Sequence, residues 1–176
     1  MSETRQTNTR SIDDNKVIGN SNKIVNSNTE LVVYKTQDQI NTVCKIIEKS
    51  YEANKKCLLL CNNEEEIDLF DNKLWTYSKL SFIPHGSKYS VSISNAIHCN
   101  TWIFDELVYV NNPDYLINLG CIANNIQHNF TKIIDITCNL EDNLDIIRSK
   151  YNVEFSKCTI WIQSNNKWIK SNGTLL

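Results

Sequence analysis

The side chains best equipped for chemistry in this sequence are seven cysteines, at 44, 57, 61, 99, 121, 138 and 158, and three histidines, at 85, 98 and 128. A thiolate beside an imidazole makes a nucleophile, so Cys61 or Cys121 paired with one of the histidines would define a small cytosolic α/β enzyme. The surroundings argue against it. No nucleophile elbow or oxyanion glycine is visible, and the cysteines sit in apolar runs where thiols are inert. Zinc would need Cys or His partners at ligand spacing. Cys57 and Cys61 fall on one face of a strand, but the histidines are scattered and His98-Cys99 is a lone adjacent pair. An odd number of cysteines without a tight C-x-x-C pair, and without a signal peptide, reads as reduced thiols filling the core of a cytoplasmic protein. Glu64, Glu65 and Glu66 would suit a metal or an acid, yet a helix dipole favours three acids in a first turn.

Glycine scarcity excludes more. Gly19, Gly86, Gly120 and Gly173 are the whole supply, so neither G-x-G-x-x-G nor a Walker loop can be written, and no nucleotide cofactor is expected. The chain has 176 residues and a net charge of −2, with charges dispersed and no basic stripe. Direct single-strand binding through stacked aromatics would need a basic groove that this balance does not supply. No apolar run approaches the ~20 residues of a membrane helix.

What stands out instead is the stretch 73–86, Lys-Leu-Trp-Thr-Tyr-Ser-Lys-Leu-Ser-Phe-Ile-Pro-His-Gly. It closes an amphipathic helix on Trp75, crosses a polar turn and ends in Phe82-Ile83 locked by Pro84. Its aromatics either cover the domain's own core or form an exposed patch where another protein docks.

The elements that must position these residues alternate. Residues 1–29, rich in Asn, Ser and Thr, read as a disordered N-terminal extension. From 30 to 176 a single domain is expected. Residues 30–34 form a buried strand, Thr36 and Gln39 a capping-box pattern, and 38–54 a helix. Residues 57–61 are a second buried strand. Asn62 or Asn63 caps the next helix, whose inward stripe is Ile67, Phe70 and Leu74. A short strand is expected at 90–94, an inserted two-stranded arm over 95–112, and strands at 115–119 and 133–136. Ile122 and Ile126 mark a short helix, and Leu140, Leu144, Ile147 and Tyr151 one face of a helix over 140–154. Alternation at 159–162 and 168–169 suggests an edge strand or hairpin. The fold class is α/β: a three-layer, Rossmann-like domain with a mostly parallel mixed sheet and no glycine-rich phosphate loop.

With those residues in order, the chain resembles the chi subunit family of bacterial DNA polymerase III from about 31 to 151. The specific core is 74–85: Leu-Trp, then Ser-Phe-Ile-Pro-His, after a buried strand and an acidic helix start. The 115–119 strand and Phe130-Thr131-Lys132-Ile133-Ile134-Asp135 continue the pattern. The resemblance implies a non-catalytic adaptor that needs no cofactor and meets DNA only indirectly. It links the clamp loader, through a psi-like partner, to the acidic C-terminal tail of the single-stranded-DNA-binding protein. In some bacteria a repair helicase takes the place of psi. Such an adaptor is expected as a monomer within a heteromeric complex, with no membrane partner.

Carried over by position, Trp75 and Phe82 match aromatics of the psi or helicase surface, with Pro84 and His85 as neighbours. Arg148 and Tyr151 match positions that receive the acidic tail, with Thr137 and Lys150 beside them. Three residues apart on a helix, Arg148 and Tyr151 would share a face, a guanidinium for a carboxylate and a ring for an apolar terminus. The chain departs from the family with Asp145 and Asn152, where the family is more basic.

Overall fold

A computed structural model describes residues 28–77, 82–90, 98–165 and 167–171. Among these residues eight strands and three helices run in the order β1 (Glu30–Lys35), α1 (Gln39–Glu52), β2 (Cys57–Leu60), α2 (Glu64–Tyr77), β3 (His85–Ser87), β4 (Thr101–Phe104), β5 (Tyr115–Asn118), β6 (Lys132–Thr137), α3 (Leu144–Ser149), β7 (Lys157–Ser164) and β8 (Lys167–Ser171). The strands make one sheet, ordered β3-β4-β2-β5-β6-β1-β7-β8. Every pairing is parallel except β7 with β8. The α/β class and mostly parallel mixed sheet expected from the sequence are what forms.

Each inner strand supplies both faces by alternation. Leu59, Ile103, Ile117, Ile134 and Ile136 meet Val43, Cys44 and Ile47 of α1 and Ile67, Phe70 and Leu74 of α2. On the other face Leu58, Leu60, Trp102, Leu116 and Ile133 meet Ile147 of α3 and the buried Ile126, Phe130, Tyr151 and Val153. These three layers follow from the sequence: apolar runs make strands buried on both sides, and 3.6-residue stripes make the helices that cover them.

Several local expectations are corrected. The cap of α1 is Asp38, whose carboxylate accepts from the Asn41 N–H, while the Thr36 hydroxyl accepts from the Asp38 N–H and Gln39 donates to the Ile136 carbonyl. The capping box therefore does not form. Asn63 caps α2 by accepting from the Glu66 N–H. The 95–112 arm is not an arm: Thr101–Phe104 is a buried strand paired with β2 and β3, and Leu107, Val108, Tyr109 and Val110 form no strand but pack on the core as loop. No helix forms at Ile122 and Ile126. Ile122 is exposed, Ile126 is buried, and Ala123 makes an isolated bridge with Tyr151.

The helix expected over 140–154 is only Leu144–Ser149, capped by Asn143. The residues before it are held as loop, because Lys35 sends its ammonium to the carbonyls of Leu140 and Asp142. The strand expected at 90–94 falls mostly on residues outside those described, as does nearly all of the 1–29 extension. Thr29, however, is buried and donates its hydroxyl hydrogen to the Phe130 carbonyl. One strand was not anticipated at all. In β3, Gly86 lies under the Trp102 ring, where an added Cβ would come within 2.7 Å of a ring carbon. The close approach of sheet and indole requires glycine there.

Candidate protein-docking surfaces

The 73–86 stretch yields a surface pair. α2 carries Trp75 near its end, and the chain returns through Phe82 to enter β3. The two rings lie 5.1 Å apart at 37°, and they are 58% and 55% exposed. Neither ring is consumed by the core beneath, where Leu74 and Ile83 are fully buried. Beneath the pair sits His85, whose side chain is fully enclosed and whose ring meets Trp75 edge-on at 5.1 Å. Its Nδ1 is 2.8 Å from the Ile83 carbonyl oxygen and its Nε2 3.2 Å from that of Asp71. The imidazole is thereby lodged between a carbonyl of α2 and a carbonyl of its own loop. Pro84 accepts from the N–H groups of Asn100 and Thr101, joining the loop to the start of β4. Flat apolar area thus stands on a fixed base, which lowers the entropy lost on association.

The second group of residues is arranged differently from expectation. Tyr151 lies beyond the end of α3, not on its face. Its hydroxyl donates inward to Asp135 at 2.6 Å and accepts from the Asn118 side-chain amide at 2.8 Å. The Lys150 ammonium is 3.3 Å from the same Asp135 carboxylate. Thr137 is buried, its hydroxyl bonded to Asp142 and to the Asn139 N–H. Only Arg148 remains exposed, with Nη2 3.1 Å from the Cys158 sulfur. Arg148 and Tyr151 do meet, as walls of a cleft of about 340 Å³ shared with Val153, Glu154 and Phe155. The structure brings these two together there and engages Thr137 and Lys150 in internal bonds.

The buried set Asn118, Asp135 and Tyr151 was missed by sequence reasoning. A signal existed: Asp135 interrupts a run of three isoleucines, and Asn118 ends an apolar strand. Burial pushes the Asp135 carboxyl up despite the opposing charge of Lys150, and burial with the adjacent carboxylate pushes the Tyr151 phenol well above its usual range.

Cys57, Cys61 and Cys121 are poor nucleophiles. Burial pushes Cys121 up to about 11 and Cys57 to about 12, and drives Cys61 well up too. Cys121 points its thiol at the Cys61 carbonyl, 3.2 Å away. His85 and His128 turn ring nitrogens to backbone carbonyls. Among the described residues, no group of three or more His, Cys, Asp or Glu is placed to hold a metal, and no helix is long and apolar enough to cross a membrane.

The fold and surface together define an α/β protein without a phosphate loop, presenting a paired-ring patch beside the strand that opens with His85. The family model of the DNA polymerase III chi subunit, HolC, matches residues 28–154. A probable DNA polymerase III subunit chi of Rickettsia prowazekii (strain Madrid E) is 32% identical over 124 residues, covering 65% of this chain and 73% of that protein. The chain belongs to the DNA polymerase III chi subunit family.

Proposed function

We propose that this chain is a non-catalytic adaptor in the replicative polymerase assembly, joining the clamp loader to the single-stranded-DNA-binding protein in the cytoplasm. The observation that carries the reading is the Trp75–Phe82 pair, two large rings left more than half exposed where the end of α2 meets the entry to β3. Aromatic anchors of this kind dominate protein interfaces. The partner at this surface is a psi-like subunit or a helicase in its place, with Pro84 and His85 supporting the rings from below. Non-catalysis accords with thiols held protonated by burial.

The acidic tail of the single-stranded-DNA-binding protein is assigned to the cleft walled by Arg148 and Tyr151. Here Arg148 supplies the charge, and the rings of Tyr151 and Phe155, 5.7 Å apart, supply apolar wall. Glu154 in the same cleft opposes an acidic ligand, so the affinity rests on the guanidinium. Lys150 and Thr137, bonded internally, act through the fold and not by contact.

The test is a titration with a fluorescent peptide copying the host tail, beside Arg148→Ala, together with co-purification of a psi-like subunit with the wild type and with the Trp75→Ala/Phe82→Ala variant. Saturable, salt-sensitive tail binding that Arg148→Ala weakens, and a psi complex that the double variant abolishes, are expected. A chain that binds neither partner is not this adaptor.

A further inference from the structure

A second surface lies on the far side of α1. There the β7–β8 hairpin carries the sheet outward past α1, and a groove of about 500 Å³ opens between helix and hairpin. Its floor is aromatic: Tyr34 of β1, Trp161 of β7 and Trp168 of β8, with Trp168 meeting Tyr34 edge-on at 5.1 Å. Its wall is the α1 row that includes Lys45 and Lys49, exposed and one turn apart. Lys170, register partner of Trp161, adds a third cation from the opposite side. The Asp38 carboxylate at the end of the groove is engaged as the α1 cap, accepting from the N–H and side-chain amide of Asn41.

We propose that this groove seats an amphipathic helix of another protein, apolar stripe down and acidic flank toward Lys45 and Lys49. Width is the first reason. From β1 to β8 is two strand spacings, roughly 10 Å, and a helix with side chains is about 10–12 Å across. Helices cover both faces of such sheets, and α1 and α2 cover this face only over the inner strands. Charge is the second. Two cations at i and i+4 on α1 match carboxylates at the same spacing on a facing helix. The chain's own residues 1–27 do not supply that complement, since they carry four Lys or Arg against three Asp or Glu. A nucleic-acid strand would find aromatics but also the Asp38 carboxylate, and only three cations along the groove.

The test uses the full chain labelled with 5-fluorotryptophan, whose four tryptophans, at 75, 102, 161 and 168, report separately. The probes are synthetic helical peptides of about 18 residues with a leucine stripe, one flanked by Glu and one by Lys, and an oligothymidylate. The expected result is saturable movement of the Trp161 and Trp168 resonances with the Glu-flanked peptide, while Trp75 and Trp102 stay still. Lys45→Glu/Lys49→Glu should weaken that peptide about tenfold and favour the Lys-flanked one, with a cooperative melt retained and lowered only by the loss of a cation from the last turn of α1. No saturation, preference for oligothymidylate, or movement of Trp75 instead would each overturn the assignment. So would shielding of Trp161 and Trp168 from iodide before any peptide is added, which would mean the groove is already filled.

Discussion

Gly86 and the Trp102 ring lie so close that a Cβ on residue 86 would stand 2.7 Å from the indole. Gly86→Ala must push the ring or the strand aside. The expected cost is about 1–3 kcal/mol, as for other overpacked cores, read as a lower denaturant midpoint at unchanged slope. Because β3 begins at His85, the substitution should also perturb the Trp75–Phe82 surface, visible as a change in Trp75 fluorescence.

Trp75→Ala and Phe82→Ala should behave in the opposite way. Exposed rings contribute little to folding, so stability should change by less than about 1 kcal/mol for each. Loss of a psi-like partner should cost about 2 kcal/mol or more in binding for either anchor. Equal losses in stability and binding would mean that the rings serve the fold.

Tyr151→Phe removes the hydroxyl that donates to Asp135 at 2.6 Å and leaves a fully buried carboxylate short of a partner. A loss of about 1–3 kcal/mol is expected in chemical denaturation. The ring remains as cleft wall, so binding of an acidic tail peptide at Arg148 should change far less than with Arg148→Ala.

Asp135 gives a pH signature. Its folded pKa is raised above the ordinary 3.8 by burial. The folded state therefore holds the proton more firmly, and the stability this contributes is complete below about pH 3.8 and is lost as pH rises through the raised value. Relative to Asp135→Asn, the wild type should lose up to about 1.4 kcal/mol per pH unit inside that window and none above it. Parallel melts of the two proteins from pH 3.5 to 8 measure this; a constant difference would refute it.

Much of the fold was legible because the inner strands are unambiguous. Cys57-Leu58-Leu59-Leu60-Cys61 and Ile133-Ile134-Asp135-Ile136 are short apolar runs of strand length, and the stripe Ile67, Phe70, Leu74 announces α2. What stayed hidden was set by contacts between distant residues. His85-Gly86-Ser87 has no strand signal, and it is a strand because Trp102 packs on Gly86. The spacing of Leu140, Leu144, Ile147 and Tyr151 is helical, yet Lys35 takes the Leu140 carbonyl at one end and Asp135 takes the Tyr151 hydroxyl at the other. Two buried polar side chains, far away in sequence, trimmed that helix to six residues. The aromatic patch was visible as composition, whereas its exposure depends on where the end of α2 and Phe82 lie in the fold. The Arg148 cleft was half visible, since periodicity located the arginine but not the inward turn of its neighbours.

The β7–β8 hairpin lies beyond residue 154, where the family match ends, yet β7 is the direct parallel partner of β1. A chain cut at that limit would leave β1 with one bare side, its unpaired N–H and C=O groups flanking Leu31 and Val33. Such a flank is a template for adding strands from other molecules. Among the described residues the outermost strand on that side is β8, bearing Lys167 and Lys170. The segment outside the family match thus replaces a bare backbone border on β1 with a strand that carries lysines.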